Sequence, residues 1–195
     1  AGDTIWLDAG TYDSYVTVNS TETAGVNITV DSLTIIGKDS ASTVINPPGD
    51  SSTPKSYGIY ADTQSGLLIK NIGITGACQG MYLVNVDQST ITGDSSGANG
   101  GNGGSCVGAG IYLISGSETN TISNNEFTFN SNVAVYLSYS CNANTIDNNS
   151  CQSSYLTANG SNGILLDQSS SSNVVSNNTI KSSFNGIYIS TSSNN

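Results

Sequence analysis

One feature limits this chain more than any other: a short motif returns in the same orientation at a near-constant interval. Gly58-Ile59-Tyr60 reappears as Gly80-Met81-Tyr82, Gly110-Ile111-Tyr112, Ala134-Val135-Tyr136, Gly163-Ile164-Leu165 and Gly186-Ile187-Tyr188. The intervals are 22, 30, 24, 29 and 23 residues, a unit of 22 to 24 twice lengthened. A second motif trails the first: Leu68-Ile69-Lys70-Asn71, Thr121-Ile122-Ser123-Asn124-Asn125, Thr145-Ile146-Asp147-Asn148-Asn149 and Val174-Val175-Ser176-Asn177-Asn178. Two residues past each Asn pair stands another apolar residue, Phe127, Cys151 or Ile180, with Ile74 in the corresponding place. The apolar spacing is that of strands, with Gly, Asn and Ser at corners, and gives about three short strands per unit. Motifs that never reverse direction exclude hairpin-built sheets. They fit a chain wound so that each strand pairs in parallel with its equivalent one turn later, about 4.8 Å away.

Equivalent side chains then stack. Ile59, Met81, Ile111, Val135, Ile164 and Ile187 form one predicted buried ladder. Ala61, Leu83, Leu113, Leu137, Leu166 and Ile189 form a second, and Ile69, Ile91, Ile122, Ile146 and Val175 a third. The Asn pairs belong at a tight corner, because Asn tolerates the left-handed conformation and its amide can bond the identical amide above and below.

Composition removes several function classes. The 195 residues carry a formal charge of -10, with four lysines (Lys38, Lys55, Lys70, Lys181), no arginine and no histidine. A nucleic-acid partner is therefore not expected, since no basic face can neutralise phosphates. No apolar run approaches the roughly 20 residues of a membrane span. A Ser-His-Asp triad or a His-based catalytic zinc site cannot be assembled. The Ile, Val and Thr content points to an ordered chain.

These motifs resemble the right-handed parallel β-helix proteins of the pectin-lyase-like superfamily. The likeness is nearest to proteins with a Gly-Ile-x-Leu and Asn-x-Ile-x-Asn-Asn repeat, which include periplasmic nitrous-oxide-reductase maturation proteins and many bacterial and archaeal surface proteins. Residues Gly2 to Tyr12 (Gly-Asp-Thr-Ile-Trp-Leu-Asp-Ala-Gly-Thr-Tyr) and Leu33-Thr34-Ile35-Ile36-Gly37 look like the family's opening turns. The resemblance implies an all-β solenoid of about seven turns with three short strands each, in a single domain over residues 1–195. Residues 1–24 would form a cap or first turn, 25–57 the opening turns, and 58–195 the regular repeats. The repeat breaks off after Ile189, where another Thr-Ile is due, so the C-terminal end is expected to be uncapped.

The fold hosts carbohydrate lyases, hydrolases and epimerases, whose typical Arg, His or Asp-Pro-His-Glu groups are missing from this chain. A paired-carboxylate hydrolase needs two acids about 5 to 9.5 Å apart. Asp62 with Asp87, and Glu118 with its neighbours, are the only candidates for such an approach; the solvated-acid reading is preferred. No catalytic residue, metal or cofactor is assigned.

Contact sites are better marked. Strand alternation places Tyr60, Tyr82, Tyr112, Tyr136 and Tyr188 outside, in one register broken by Leu165, as an exposed aromatic stripe. Such stacking also stabilises a sheet without any partner. Excursions at 94–104 and 153–161 are expected to protrude from one side as contact loops, with Asn99, Asn102, Tyr155 and Leu156 as their contact residues. A metal in the glycine-rich excursion would need repeated acids that it lacks.

Cys78 and Cys106 precede successive Gly-Ile strands at one corner, which predicts a disulfide. Cys151 takes the place of Phe127 and Ile180, so it reads as a small buried hydrophobe, with a Cys141–Cys151 bridge as the alternative. Five glycosylation sequons start at Asn19, Asn27, Asn148, Asn159 and Asn177. Sequons, scarce charge and a bridge favour an extracellular or cell-surface, secreted setting. The expected function is a non-enzymatic structural or adhesive domain of a microbial surface protein, assembling end to end or laterally with itself or with other surface proteins. The alternative is a carbohydrate-active β-helix, either a polysaccharide-binding module or a lyase or epimerase fragment. An ice-binding solenoid would want regular outward Thr rows, which are not found.

Overall fold

A computed structural model describes residues 2–48, 55–100, 106–152, 162–181, 183–191 and 195. Strand follows strand from Thr4 to Ile189, with no helix among the described residues. The strands sort into three sheets that run the length of a right-handed parallel β-helix. The long sheet contains Glu22–Ile28, Lys55–Asp62, Gln79–Val84, Ala109–Ile114, Val133–Ser138, Asn162–Leu166 and Asn185–Ile189. A second sheet runs from Thr4–Leu7 to Val174–Ser176 and a third from Gly10–Tyr12 to Thr179–Lys181, each with seven strands. Among the described residues every strand pairing is parallel except one: Val16–Asn19 lies antiparallel to Glu22–Ile28 and closes the N-terminal edge of the long sheet. The other N-terminal residues are already coil, since Thr4–Leu7 pairs with Thr34–Gly37 and Gly10–Tyr12 with Thr43–Ile45.

The register is the one the motifs dictate. Ile59, Met81, Ile111, Val135 and Ile164 pair in succession, as do Ala61, Leu83, Leu113, Leu137 and Leu166. Both columns are fully buried and merge with Ile69, Ile91, Ile122 and Ile146 into a single core. In the last turn the same columns come to the surface, with Ile187 and Ile189 each 48% exposed. Free Cys141 and free Cys151 are both interior, so they do not bridge. Cys151 sits between Phe127 and Ile180 in the third-sheet column, as a small hydrophobe would.

The glycine at the start of most long strands has a packing reason. At Gly58 an added Cβ would strike the Ile74 side chain and the Gly80 carbonyl, and at Gly110 it would strike the Phe127 ring. The chain turns from the third sheet into the long sheet there, and at these two positions the missing Cβ lets the sheets approach, whereas the equivalent place in Val133–Ser138 is held by Ala134.

Asparagine works at the corner in two different ways. The first of each pair takes the left-handed conformation, with φ of 56° at Asn124, 51° at Asn148 and 55° at Asn177, as does the single Asn71 at 58°. The second turns inward and builds a ladder. Asn149 Oδ1 accepts the Asn125 backbone N–H (2.9 Å) and Nδ2–H (3.1 Å), while Asn149 Nδ2 donates to Asn178 Oδ1 (2.9 Å) and to the Ile122 carbonyl (3.0 Å). A second ladder on another corner joins Asn120, Asn144 and Asn173 by the same bonds. These amides satisfy buried backbone groups that strand pairing leaves over at the corners.

Candidate functional site

The outer face of the long sheet brings the predicted tyrosines together. Tyr60, Tyr82, Tyr112 and Tyr136 are successive register partners, followed by Leu165 and Tyr188. Ring centroids lie 5.9 Å apart for Tyr60–Tyr82, 5.4 Å for Tyr82–Tyr112 and 4.5 Å for Tyr112–Tyr136, the last pair stacked and nearly parallel at 8°. These separations fall in the attractive range for aromatic pairs.

The stripe is less exposed than alternation implies. Tyr112 is 7% exposed, packed with Ala109, Val133, Val107 and Ile114 in a second apolar cluster outside the coil. Tyr60, Tyr82 and Tyr136 are half-buried, and Tyr188 is 48% exposed. Burial raises the hydroxyl pKa of Tyr57, Tyr82 and Tyr112 and pushes Tyr60 up to about 12, with the nearby Asp62 charge adding to the effect at Tyr60.

Tyr57 was not visible from the repeat. Three residues before Tyr60, simple alternation sends it to the opposite face, yet its ring lies 4.7 Å from Tyr82 and 5.6 Å from Tyr60. Alternation breaks because Gly58 and Ile59 both face inward, and Tyr57 is left outside, its hydroxyl donating to Glu22 Oε1. At this end of the stripe an open cleft of about 350 Å³ is lined by Val18, Asn19, Asn27, Thr29, Tyr60, Asp62 and Gln64. Several of its polar groups already have partners: Asn19 bonds to Thr21 and Glu22 outside the cleft, Tyr60 to Asp62, and Gln64 to the Asp62 carbonyl.

The other predicted sites fare differently. Asp62 pairs in register with Val84, whereas Asp87 bridges to Ser65, so these two acids occupy different columns. Asp87 Oδ1 accepts the Glu118 N–H at 2.7 Å, and Glu118 Oε1 accepts from Asn142 on the far side at 3.0 Å. Asn99 is no loop contact. It is 1% exposed, its Oδ1 accepts the Ala77 N–H, and its Nδ2 donates to Ser96 and Asn130. The strand Ser95–Gly97 also stays in the coil, so the excursion begins later than 94. Asn102, Tyr155, Leu156 and the Asn159 sequon lie outside the described residues. Asn148 and Asn177 are exposed on the left-handed corner, Asn27 is half-buried beside the cleft, and Asn19 is exposed at a strand end. Cys78 and Cys106 are disulfide-bonded, with Cα atoms 5.2 Å apart.

Residues 2–195 match the family described as periplasmic copper-binding protein (NosD). No curated protein matches the chain. Among solved structures it is similar to an alginate lyase from Paenibacillus sp. (TM-score 0.69, 17% identity), over 91% of this chain and 59% of the lyase. It is similar to ORF18 of Geobacillus virus E2 (TM-score 0.58, 15% identity), over 94% of this chain and 42% of that one. It is also similar to the A-module of mannuronan C-5 epimerase AlgE6 from Azotobacter vinelandii (TM-score 0.55, 15% identity), over 90% of this chain and 54% of the module. The chain therefore spans less than two thirds of each, and the likeness is one of fold.

The family description raises copper, and this chain's donors do not fit it. Copper sites draw on His, Cys and Met. Here there is no histidine, the one methionine is Met81 in the core column, and two of the four cysteines are bonded to each other. The remaining thiols, Cys141 and Cys151, are buried, and burial raises both pKa values, that of Cys151 to about 12. No three metal-ligating side chains converge among the described residues.

Proposed function

The chain belongs to the NosD family, and from that premise we propose that it serves as a rigid, non-catalytic contact module of an extracellular or cell-surface protein. The observation that supports this most directly is the tyrosine ladder. Its rings run along the axis of a stiff coil, so ring spacing is set by strand spacing and the outer face is ordered before any partner arrives, which lowers the entropy cost of contact. Of the acids that could have worked as a pair, Asp62 and Asp87 are held in separate columns, and the Asp87 carboxylate next to Glu118 is already engaged by the Glu118 backbone N–H. The Cys78–Cys106 disulfide and the periplasmic setting in the family's description support a location outside the cytoplasm. Partners on this reading are copies of the chain or other surface proteins.

A second reading, glycan binding, is favoured by the cleft beside Tyr60, where a ring face adjoins amide and carboxyl groups. Sugar rings stack on such faces, and the fold's resemblance to an alginate lyase and an epimerase is in keeping with it. The test is to titrate the isolated chain with neutral and acidic polysaccharides, assay it for cleavage, and follow its association with concentration. Self-association without glycan binding supports the contact module. Binding lost in Tyr60→Ala and retained in Tyr188→Ala supports the second reading, and polysaccharide cleavage overturns the first.

A further inference from the structure

One ladder rung is chemically wrong for its place. The corner column that contains Asn125, Asn149 and Asn178 has Asp94 as its previous member: the Asn125 Oδ1 accepts the Asp94 backbone N–H at 2.9 Å, just as Asn149 Oδ1 accepts that of Asn125. Asp94 Oδ1 performs the same service one turn earlier, accepting the Ile72 N–H at 2.7 Å. The difference lies at the other side-chain atom. In each Asn, Nδ2 donates to a core carbonyl of the preceding turn: Asn125 to Ile91, Asn149 to Ile122 and Asn178 to Ile146. Asn125 and Asn149 also donate to the next ladder oxygen, and both targets are acceptors. Since Ile69 is the register partner of Ile91, the matching acceptors for Asp94 are the Ile69 carbonyl and Asn125 Oδ1. Asp94 presents an oxygen there, and Oδ2 is buried without a hydrogen-bond partner.

We propose that folded Asp94 is a neutral carboxylic acid whose Oδ2–H takes the donor place of the missing amide, making this corner a proton-dependent rung. An ionised carboxylate at the same place would oppose two acceptor oxygens in a site that is 3% exposed; a protonated one completes the ladder. In the strands that adjoin this corner on the flanking turns the charged side chains are Lys70, ending the strand before, and Glu126, starting the strand after, and both are exposed. Asp94's own turn carries none in its adjoining strands, Thr90–Thr92 and Ser95–Gly97. With no opposing charge acting on it, burial pushes the carboxyl up to about 7, against the smaller opposite pull of the Ile72 N–H. The rung sits immediately before Ser95–Gly97 and buried Asn99, so its proton bears on how that strand is held in the coil.

The direction of linkage follows. A carboxyl raised in the folded state keeps its proton while the unfolded chain loses it, so stability falls as pH rises from the ordinary Asp value of about 4 towards 7 and then levels. The experiment compares the whole chain with Asp94→Asn, which restores the amide. We expect the unfolding equilibrium constant of the parent, relative to Asp94→Asn, to grow up to about a thousandfold between pH 4 and 7, tenfold for each pH unit in which only the folded state holds the proton. Carbon-13 spectra of aspartate-labelled parent protein read the group directly and do not depend on how the variant folds. One carboxyl should titrate near neutrality, and that signal should be missing from Asp94→Asn. If every aspartate of the folded parent titrates in the ordinary carboxylate range, or if the two proteins run parallel across this interval, Asp94 is ionised and the proposal is wrong.

Discussion

Replacing Asn149 by Ala, with Asn148→Ala as its neighbour control, separates the two duties of the corner asparagines. The buried amide makes four side-chain hydrogen bonds, two through Oδ1 to Asn125 and two through Nδ2 to Ile122 and Asn178. At roughly 0.5 to 1.5 kcal/mol each, their loss alone is significant, and the stranded Asn125 N–H adds about 1 to 3 kcal/mol because no water reaches it. A total loss of about 3 to 9 kcal/mol is expected for Asn149→Ala. Asn148 is exposed, has a φ of 51° and donates one bond to Asn124 Oδ1, so Asn148→Ala should cost only about 1 to 2 kcal/mol, mostly backbone conformation. Asn148→Gly should then recover most of that loss. Urea unfolding followed by far-ultraviolet circular dichroism gives the differences. Amide hydrogen exchange should place the Asn149→Ala damage in the turns holding Asn125 and Asn178, as expected of a solenoid whose turns contact only neighbours. Equal costs for the two alanine variants, or protection lost uniformly along the coil, would refute the ladder argument.

Reducing the Cys78–Cys106 bridge, or making Cys106→Ser, should lower stability by about 3.6 kcal/mol, the chain-entropy value for a 28-residue separation; no change in the urea midpoint would count against it. Tyr112→Ala should cost about 3 to 5 kcal/mol, as a buried aromatic does, while Tyr188→Ala should cost under about 1 kcal/mol, which thermal unfolding of the two will compare. Asp147, whose carboxylate accepts from Ser176 and Asn177, has its pKa held below the ordinary range by those bonds, as Asp39 has by Ser42. Their contribution is therefore present above the unfolded value and lost as pH falls through the folded one, opposite in sign to Asp94. Asp147→Asn should flatten the acid limb of a stability profile. Titration of the oxidised chain with Cu(I) against a competing chelator should show no stoichiometric uptake, and uptake by the oxidised protein would mean that Cys141 and Cys151 are reachable.

Much of this molecule could be read from spacing. In a parallel coil each residue's neighbour is its own repeat equivalent, so the columns through Ile59, Ala61 and Ile69, the tyrosine register and the meeting of Cys78 with Cys106 all follow from alignment. The left-handed role of Asn148 follows from residue type. What alignment cannot supply is the local direction of a side chain where alternation breaks. Inward-facing Gly58 and Ile59 turned Tyr57 onto the tyrosine face, and the Ser95–Gly97 strand kept Asn99 inside when composition suggested an excursion. Depth was likewise decided by packing, because Val107, Ala109 and Val133 gather over Tyr112 from outside the coil. Asp94 joins both levels. Its place in the Asn column is a matter of interval, but only three-dimensional burial turns an ordinary acid into one that must keep its proton, since solvation is set by everything around a group and not by its position in a repeat.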